Sequence, residues 1–104
     1  MTDKPIVSIN IAVLNGAKYA RFCFDSILEQ SYPHELIEVN VLDNGSTDKT
    51  LDIIEEQGRL LMESGFSKFE IIKSDKNLGM WPGQEELLKT SLGKYIVATA
   101  IDII

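Results

Sequence analysis

Apolar residues recur with two different periods along the chain. Four short stretches alternate apolar with polar or small residues, as β strands do when one face is buried. These stretches are Ile6 to Val13, Ile37 to Leu42, Phe69 to Ile72, and a last one that begins at Lys94 or Tyr95. The segments between them repeat apolar residues at spacings of three and four, which indicates amphipathic helices. The alternation of strand and helix predicts right-handed βαβ units and a parallel sheet.

Residues that begin and end helices agree with this order. Ser46 or Thr47 can cap the second helix, and Asp48 then lies in its first turn, where a negative charge is favourable. Gly65 and Gly93 are placed to end the second and third helices. The predicted fold class is α/β, a Rossmann-like three-layer α/β/α arrangement with a mostly parallel sheet in the order βαβαβαβ. The 104 residues form one predicted domain.

Polar or flexible residues follow the end of every predicted strand. In open α/β sheets, ligands bind beyond the carboxyl ends of the strands, where the strand order switches. Four polar clusters at one edge of a sheet therefore predict a crevice that binds a polar ligand. The clusters are Asn15 and Gly16, then Asp43 to Ser46, then Asp75, Asn77 and Gly79, and finally Asp102.

Several common sites of α/β proteins do not fit these residues. The first strand-to-helix turn, "LNGAKYA", has a single glycine, so the glycine-rich dinucleotide motif is absent. A P-loop lysine is absent too, and Asn15 stands where a phospho-receiver domain would need an acid. No paired Cys or His set indicates zinc. We expect His34 to be solvated in its loop and Cys23 to be a buried structural thiol.

The net charge of −6 argues against nucleic acid as the main partner. A polyphosphate ligand would also be repelled at long range, so a cation or backbone donors would have to offset that repulsion. No apolar run approaches the roughly 20 residues of a membrane span, and "MTDKP" lacks the apolar core of a signal peptide. We expect a cytoplasmic domain, at the inner membrane face in a longer parent protein.

Three motifs, in order, resemble family 2 glycosyltransferases, the nucleotide-sugar enzymes of the GT-A fold. They are "VSINIAVLNGAKYARFCFDSILEQSYP", "IEVNVLDNGSTDKT" and "NLGMWPGQEELLKTSLGKYIVATAID". The resemblance runs from about Pro5 to Asp102. It implies that the chain is the N-terminal portion of a GT-A fold and takes part in moving a sugar from a nucleoside diphosphate sugar to an acceptor hydroxyl. A UDP-sugar is the expected partner.

The resemblance also implies which residues bind the nucleotide. Asp43 is expected to contact the base or ribose, since a carboxylate accepts directionally from an N–H or a hydroxyl. Gly45 permits a left-handed backbone or a close approach. A frequent Pro-Thr pair of the family is replaced here by Ala12 and Val13, so a hydroxyl contact at Val13 is lost. The implied nucleotide-binding residues are Val13, Asn15, Asp43, Asn44, Gly45, Asn77 and Gly79.

The family's Asp-x-Asp metal motif is incomplete in this chain. Aligned on "GKYIV", the first acid falls on Ala100 and the second on Asp102. The implied cofactor is Mg²⁺ or Mn²⁺, held by Asp102 with phosphate and water oxygens supplying the other ligands.

The chain stops at "AIDII", at or just beyond a strand expected to be buried. We therefore expect a domain truncated at its C-terminus, with the acceptor pocket and general base of the family further along a parent chain. Two apolar residues at the end also favour a homodimer formed through the last strand. The alternative is a non-catalytic α/β module with the same fold that serves in protein association.

Overall fold

The computed structural model describes residues 6–75 and 80–102, with side chains described at all of these positions except 80, 81 and 102. Within these residues four strands alternate with three helices, and the predicted α/β order is confirmed. The elements are β1 (Val7–Leu14), α1 (Ala17–Leu28), a single 3-10 turn (His34–Leu36), β2 (Ile37–Asp43), α2 (Thr50–Glu63), β3 (Lys68–Lys73), α3 (Met80–Leu88) and β4 (Tyr95–Asp102). None of the helices within these ranges is long and apolar enough to cross a membrane.

The sheet has the strand order β3-β2-β1-β4, and all three pairings are parallel. The chain moves outward on one side of β1 through β2 and β3, and then crosses to the other side to form β4. The switch in strand order therefore lies at β1, and the carboxyl ends of β1, β2 and β4 meet there. This is the position at which open α/β sheets bind ligands.

The two faces of the sheet are covered by different helices. On one face, alternate residues of β1 and β2 form an apolar core with α1 and α2; it includes Ile11, Val13, Val39, Val41, Phe24, Ile54 and Leu61. On the other face, Gly83 of α3 lies against Leu42 and Ala12, and Leu87 of α3 is buried. The three-layer α/β/α arrangement is thus confirmed.

Helix boundaries follow the expected signals in part. Gly65 has φ of 93°, just after α2 ends, which confirms its role as a stop signal. The predicted capping of α2 by Ser46 or Thr47 is wrong, because Lys49 holds the capping position and makes no side-chain cap bond. The Ser46 hydroxyl instead accepts a hydrogen bond from the Asn15 N–H at 2.9 Å. Helix α3 ends at Leu88, so Gly93 lies in the α3–β4 connection rather than at the helix end.

Strand β4 departs most from the sequence expectation. A buried last strand was expected, but Tyr95, Ile96 and Val97 are 55%, 39% and 49% exposed. The reason is the topology: among the described residues β4 pairs only with β1, so it is an edge strand. Among the β4 residues whose side chains are described, only Ile101, near the end of the strand, is buried in the core.

Candidate functional site

The carboxyl ends of three strands lie side by side at one edge of the sheet. Val13 of β1 is paired with Asp43 of β2, and Leu14 is paired with Asp102 of β4. The pairing continues one residue further, because the Asn44 N–H donates to the Val13 carbonyl at 2.8 Å. Four of the sequence-predicted positions, Val13, Asp43, Asn44 and Asp102, are therefore brought together by the backbone alone.

Asp43 ends β2 and is almost completely buried, at 4% exposure. Its two carboxylate oxygens share one backbone donor, the Ser46 N–H, at 3.3 and 3.4 Å. These are long hydrogen bonds, and an ionised carboxylate can accept about four. The bonds to Ser46 thus leave Asp43 with capacity to accept from a further N–H or hydroxyl.

Gly45 has the left-handed backbone that its sequence position suggested, with φ of 92°. A Cβ at Gly45 would lie 3.5 Å from the Ser74 carbonyl oxygen and 3.6 Å from that of Asp75. The turn after β2 is therefore packed against the segment that leaves β3. Since few L residues other than Asn or Asp adopt this backbone, glycine is the residue that suits the turn.

Asn15 also has a left-handed backbone, with φ of 50°. Its Oδ1 accepts the Thr47 N–H at 2.8 Å and the Asp48 N–H at 3.3 Å, while its own N–H donates to the Ser46 hydroxyl. The side chain of Asn15 is thus engaged by the loop after β2. Its geometry gives it the role of holding residues 46–48 in place beside Asp43.

Asp48 joins the first turns of two helices, a role that the sequence did not reveal. Its carboxylate accepts from the Thr50 N–H at 2.9 Å, from the Thr50 hydroxyl, and from the Ala17 N–H at 3.4 Å. Burial raises the pKa of the Asp48 carboxyl, but these hydrogen bonds outweigh it and hold the pKa below its usual value. The prediction that Asp48 lies in the first turn of α2 is wrong, because α2 begins at Thr50, two residues later.

The start of α1 lies directly against the end of β4. A Cβ added to Gly16 would come within 2.5 Å of Ile101 Cγ2 and 3.1 Å of the Ile101 carbonyl oxygen. A side chain at residue 16 would have to displace Ile101, so glycine suits this approach, which places the β1–α1 turn beside the residue that precedes Asp102. Asn77 and Gly79, the other two predicted site residues, lie outside the described residues.

The predicted metal site rests on a single acid. Within residues 6–75 and 80–102, no group of three or more His, Cys, Asp or Glu side chains is gathered to hold a metal ion. Ala100 and Asp102 occupy alternate positions of β4 and so share one face of the strand. The described residues therefore fit a cation only if it is shared with oxygens from outside the protein, such as those of a diphosphate.

Cys23 and His34, to which the sequence assigns no binding role, both have defined contacts in the structure. Cys23 is half-buried, and burial raises the pKa of its thiol, in agreement with a structural role. His34 is partly exposed, so the expectation of a solvated side chain is met only in part. Its ring packs on Phe66 with centroids 4.4 Å apart, and its two nitrogens lie 3.1 and 3.2 Å from the carbonyl oxygens of Ser64 and Gln30.

A groove of about 590 Å³ lies away from this edge, between α1 and β4. Its walls are largely apolar and include Val7, Ile9, Cys23, Ile27, Tyr32 and Val97. Val7 begins β1, so the groove extends toward the amino ends of the strands. It is therefore separate from the crevice at the carboxyl ends.

Known proteins resemble this chain in both sequence and structure. The family model "Glycosyl transferase family 2" matches residues 8–99. A dolichyl N-acetyl-alpha-D-glucosaminyl phosphate 3-beta-D-2,3-diacetamido-2,3-dideoxy-beta-D-glucuronosyltransferase of Methanococcus voltae is 32% identical over 91 residues, 88% of this chain and 27% of its own length. Glycosyltransferase AglE of Haloferax volcanii is 30% identical over 92 residues, 88% of this chain and 29% of its own length.

Solved structures show the same fold. The mannosyltransferase PcManGT of Pyrobaculum calidifontis, in complex with GDP-Man and Mn²⁺, superposes with a TM-score of 0.86 at 25% identity, over 97% of this chain and 28% of that one. S. aureus TarS superposes with a TM-score of 0.79 at 24% identity, over 93% of this chain and 16% of that one. The family match and the two curated relatives, rather than the shared fold, favour the enzyme family over a non-catalytic α/β module.

The chain spans between a quarter and a third of the length of these two curated relatives. The family model matches residues 8–99, a range that includes Asn15 and Asp43 and ends before Asp102. With a family model covering residues 8–99, this chain belongs to glycosyl transferase family 2.

Proposed function

We propose that this chain forms the donor-nucleotide half of a glycosyltransferase, which in a longer parent protein transfers a sugar from a nucleoside diphosphate sugar to an acceptor hydroxyl. The observation that carries the proposal is Asp43, a buried carboxylate with acceptor capacity at the switch point of the sheet. The GDP-Man bound in the structure of PcManGT supports a nucleoside diphosphate sugar as the class of ligand.

Each residue of the crevice has a distinct part in this proposal. Asp43 accepts a hydrogen bond from a base N–H or a ribose hydroxyl, which orients the nucleotide. Asn15 holds the loop of residues 46–48 in place. The left-handed backbone of Gly45 forms the turn that leads into this loop. The side chain of Val13 carries no hydroxyl and is buried in the apolar core, so a contact of Val13 with the nucleotide would be through its backbone. Asn77 and Gly79 are proposed to lie near the ribose and diphosphate.

Asp102 is the residue that would hold a divalent cation, Mg²⁺ or Mn²⁺. When bound, the cation neutralises charge on the diphosphate as it leaves. The formal net charge of the chain is −6, so a diphosphate meets a repulsive field that a cation would relieve. The Mn²⁺ bound in the structure of PcManGT supports this choice of cofactor.

The acceptor half of the reaction is not assigned to any residue of this chain. We propose that residues 1–104 are one donor-binding domain, truncated relative to the parent enzyme. The acceptor pocket and general base would then lie in a further part of that enzyme. Support comes from the lengths of the two curated relatives: the part that matches this chain is 27% of the length of one and 29% of the length of the other. The cytoplasmic location, at the inner membrane face in the parent, stays a prediction.

Calorimetric titration with UDP and GDP, each with and without Mg²⁺, tests the proposal. We expect one nucleotide to bind, with UDP favoured, and Asp43→Ala to weaken it by about tenfold through loss of a charged hydrogen bond. Asp43→Asn keeps the shape of the side chain and separates loss of charge from local unfolding. Asp25→Ala, an exposed acid at the far end of α1, is the matched control. A folded chain that binds neither nucleotide would refute the donor site.

The homodimer is proposed through β4. Its outer edge is unpaired among the described residues, and Tyr95, Ile96 and Val97 are exposed beside it. Such an edge can pair with the same strand of a second copy. Light scattering should give twice the monomer mass, and Val97→Lys should return the monomer mass; a wild-type monomer at high concentration would contradict the dimer.

A further inference from the structure

A row of three side chains crosses the sheet near the amino ends of the strands. Ser8, Glu38 and Lys68 are paired neighbours in β1, β2 and β3. The Ser8 hydroxyl donates to Glu38 Oε2, and Lys68 Nζ lies 3.4 Å from Glu38 Oε1. Ser8 and Glu38 are fully buried. We call these three residues the strand-start row; it lies on the α3 face, at the opposite end of the sheet from Asp43.

Each member of the strand-start row binds the backbone of the α3–β4 connection. Lys68 Nζ donates to the Thr90 carbonyl at 2.7 Å. Glu38 Oε2 accepts the Leu92 N–H at 2.6 Å, and the Ser8 hydroxyl accepts the Gly93 N–H at 2.8 Å. Three strands thus hold three backbone groups in a segment of four residues.

Gly93 is fitted closely to this arrangement. A Cβ at Gly93 would lie 2.6 Å from the Ser8 backbone nitrogen and 3.0 Å from the Ile6 carbonyl oxygen. The Lys94 N–H donates to the same Ile6 carbonyl at 2.8 Å. A side chain at residue 93 would therefore push the connection away from β1, two residues before β4 begins.

Apart from its ladder with β1 and the buried Ile101 near its end, strand β4 has few contacts that fix its position within the described residues. It is the most exposed of the four strands, and its pairing within the described residues is to β1 alone. One side chain of α3 also reaches it, since Gln84 Nε2 donates to the Thr99 carbonyl at 3.0 Å. The register of a strand is weakly specified where neither face is well buried, and a slip of one residue turns every side chain to the other face.

We propose that Glu38, through the strand-start row, is a positioning residue that fixes the start and register of β4, and so determines where Asp102 stands. The consequence for Asp102 rests on the proposed function, in which Asp102 holds the cation. The buried carboxylate acts at a distance: it contacts the connection before β4, while Asp102 lies at the other end of the strand. A slip of β4 would carry Asp102 to the opposite face of the sheet.

Amide-resolved hydrogen exchange on the whole chain tests this directly. In Glu38→Gln we expect the amides of β4 to exchange about tenfold faster, relative to those of β2, because a charged hydrogen bond is lost at one end of the strand. Gly93→Ala, which disturbs the connection and its contact with Ser8 while leaving the charge of Glu38 in place, should give the same pattern. Glu86→Gln is the control, because it alters an exposed pair on α3 in which Glu86 and Lys89 are 2.9 Å apart. Unchanged β4 exchange, or equal acceleration in β2 and β4, would overturn the proposal.

A second measurement separates this inference from the proposed function. The affinity of UDP with and without Mn²⁺ gives the gain in binding due to the metal. Glu38→Gln should reduce that gain at least threefold and leave metal-free binding unchanged, whereas general destabilisation would weaken both. An unchanged gain would refute the link to Asp102. If wild-type protein binds neither UDP nor GDP, the donor site fails, and the exchange data alone decide whether Glu38 positions β4.

Discussion

Asn15 Oδ1 accepts the Thr47 N–H at 2.8 Å, so the residue that follows β1 holds the loop that follows β2. The two loops border the same crevice, and each contains a left-handed residue, Asn15 in one and Gly45 in the other. Asparagine is among the few residues other than glycine that tolerate this backbone. One side chain therefore provides both the turn and the link between the loops.

Substitution of Asn15 should separate these two contributions. Asn15→Gly keeps the left-handed backbone and loses the hydrogen bonds to Thr47 and Asp48, at a cost of about 1 kcal/mol in the free energy of unfolding. Asn15→Ala should cost about 1 kcal/mol more, because alanine is strained at positive φ. Urea unfolding of the two variants measures the difference. Equal stability of the glycine and alanine variants would contradict the assigned backbone strain.

Stability should depend on pH through Glu38. Burial raises the pKa of the Glu38 carboxyl, but hydrogen bonds from Ser8, the Leu92 N–H and Asn40, with the charge of Lys68, outweigh it and hold the pKa below its ordinary value of 4.5. Because the pKa is lowered on folding, the stabilisation is complete above about pH 4.5. It is lost as the pH falls through the lower folded value.

The measurement is urea unfolding of wild type and Glu38→Gln from pH 7 down to pH 3. At neutral pH the variant should be less stable by about 2 kcal/mol, the scale of a charged hydrogen bond. The difference should shrink below pH 4.5 as Glu38 takes up a proton. Asp48 titrates in both proteins, so its contribution cancels in the difference. A gap that stays constant with pH would show that the charge of Glu38 does not stabilise the fold.

Gly58 lies in the middle of α2 and faces the ring of Phe69. A Cβ added there would overlap three atoms of that ring, which also packs edge-on against Phe24 with centroids 6.2 Å apart. Alanine is favoured over glycine in a helix by about 1 kcal/mol, but overpacking a core costs about 1–3 kcal/mol. Gly58→Ala should therefore destabilise the protein.

Thermal or urea unfolding of Gly58→Ala measures whether the free energy of unfolding falls, as expected. Adding Phe69→Leu to the variant should recover part of the loss, since the smaller side chain makes room for the methyl group. Arg59→Ala, at the neighbouring exposed position, controls for the general effect of alanine in α2. A Gly58→Ala protein more stable than wild type would mean that the Phe69 ring moves aside at little cost.

The sequence predicted those features that depend on local periodicity. Alternation of Ile9, Ile11 and Val13 identified β1 and its core face, and Gly65 marked the end of α2. Side chains at Ser8 and Glu38 carry no such local signal, because their partners come from other strands and from the α3–β4 connection. The strand-start row became visible only once the parallel pairing had set these residues next to one another.

The candidate site was predictable to a similar extent. The meeting of Asp43 and Asn15 at one edge follows from the parallel sheet and was expected. The hydrogen bond from the Asn15 N–H to the Ser46 hydroxyl was not expected, because a hydroxyl just before a helix is typical of a cap. The exposure of β4 was missed because its apolar residues suggest a buried strand equally well. Whether a strand is central or at an edge depends on neighbours that the local pattern does not name.

An amide-resolved NMR titration with UDP and GDP, with Mn²⁺ added at trace level, tests the central claim most directly. The proposed donor site predicts shifts at Asn15, Asp43 and Gly45 for one nucleotide, and Mn²⁺ broadening centred on the end of β4 near Asp102. The groove between α1 and β4, around Cys23 and Val97, should stay unchanged. A folded protein whose spectrum ignores both nucleotides, or responds only at that groove, would contradict a donor site at the carboxyl edge of the sheet.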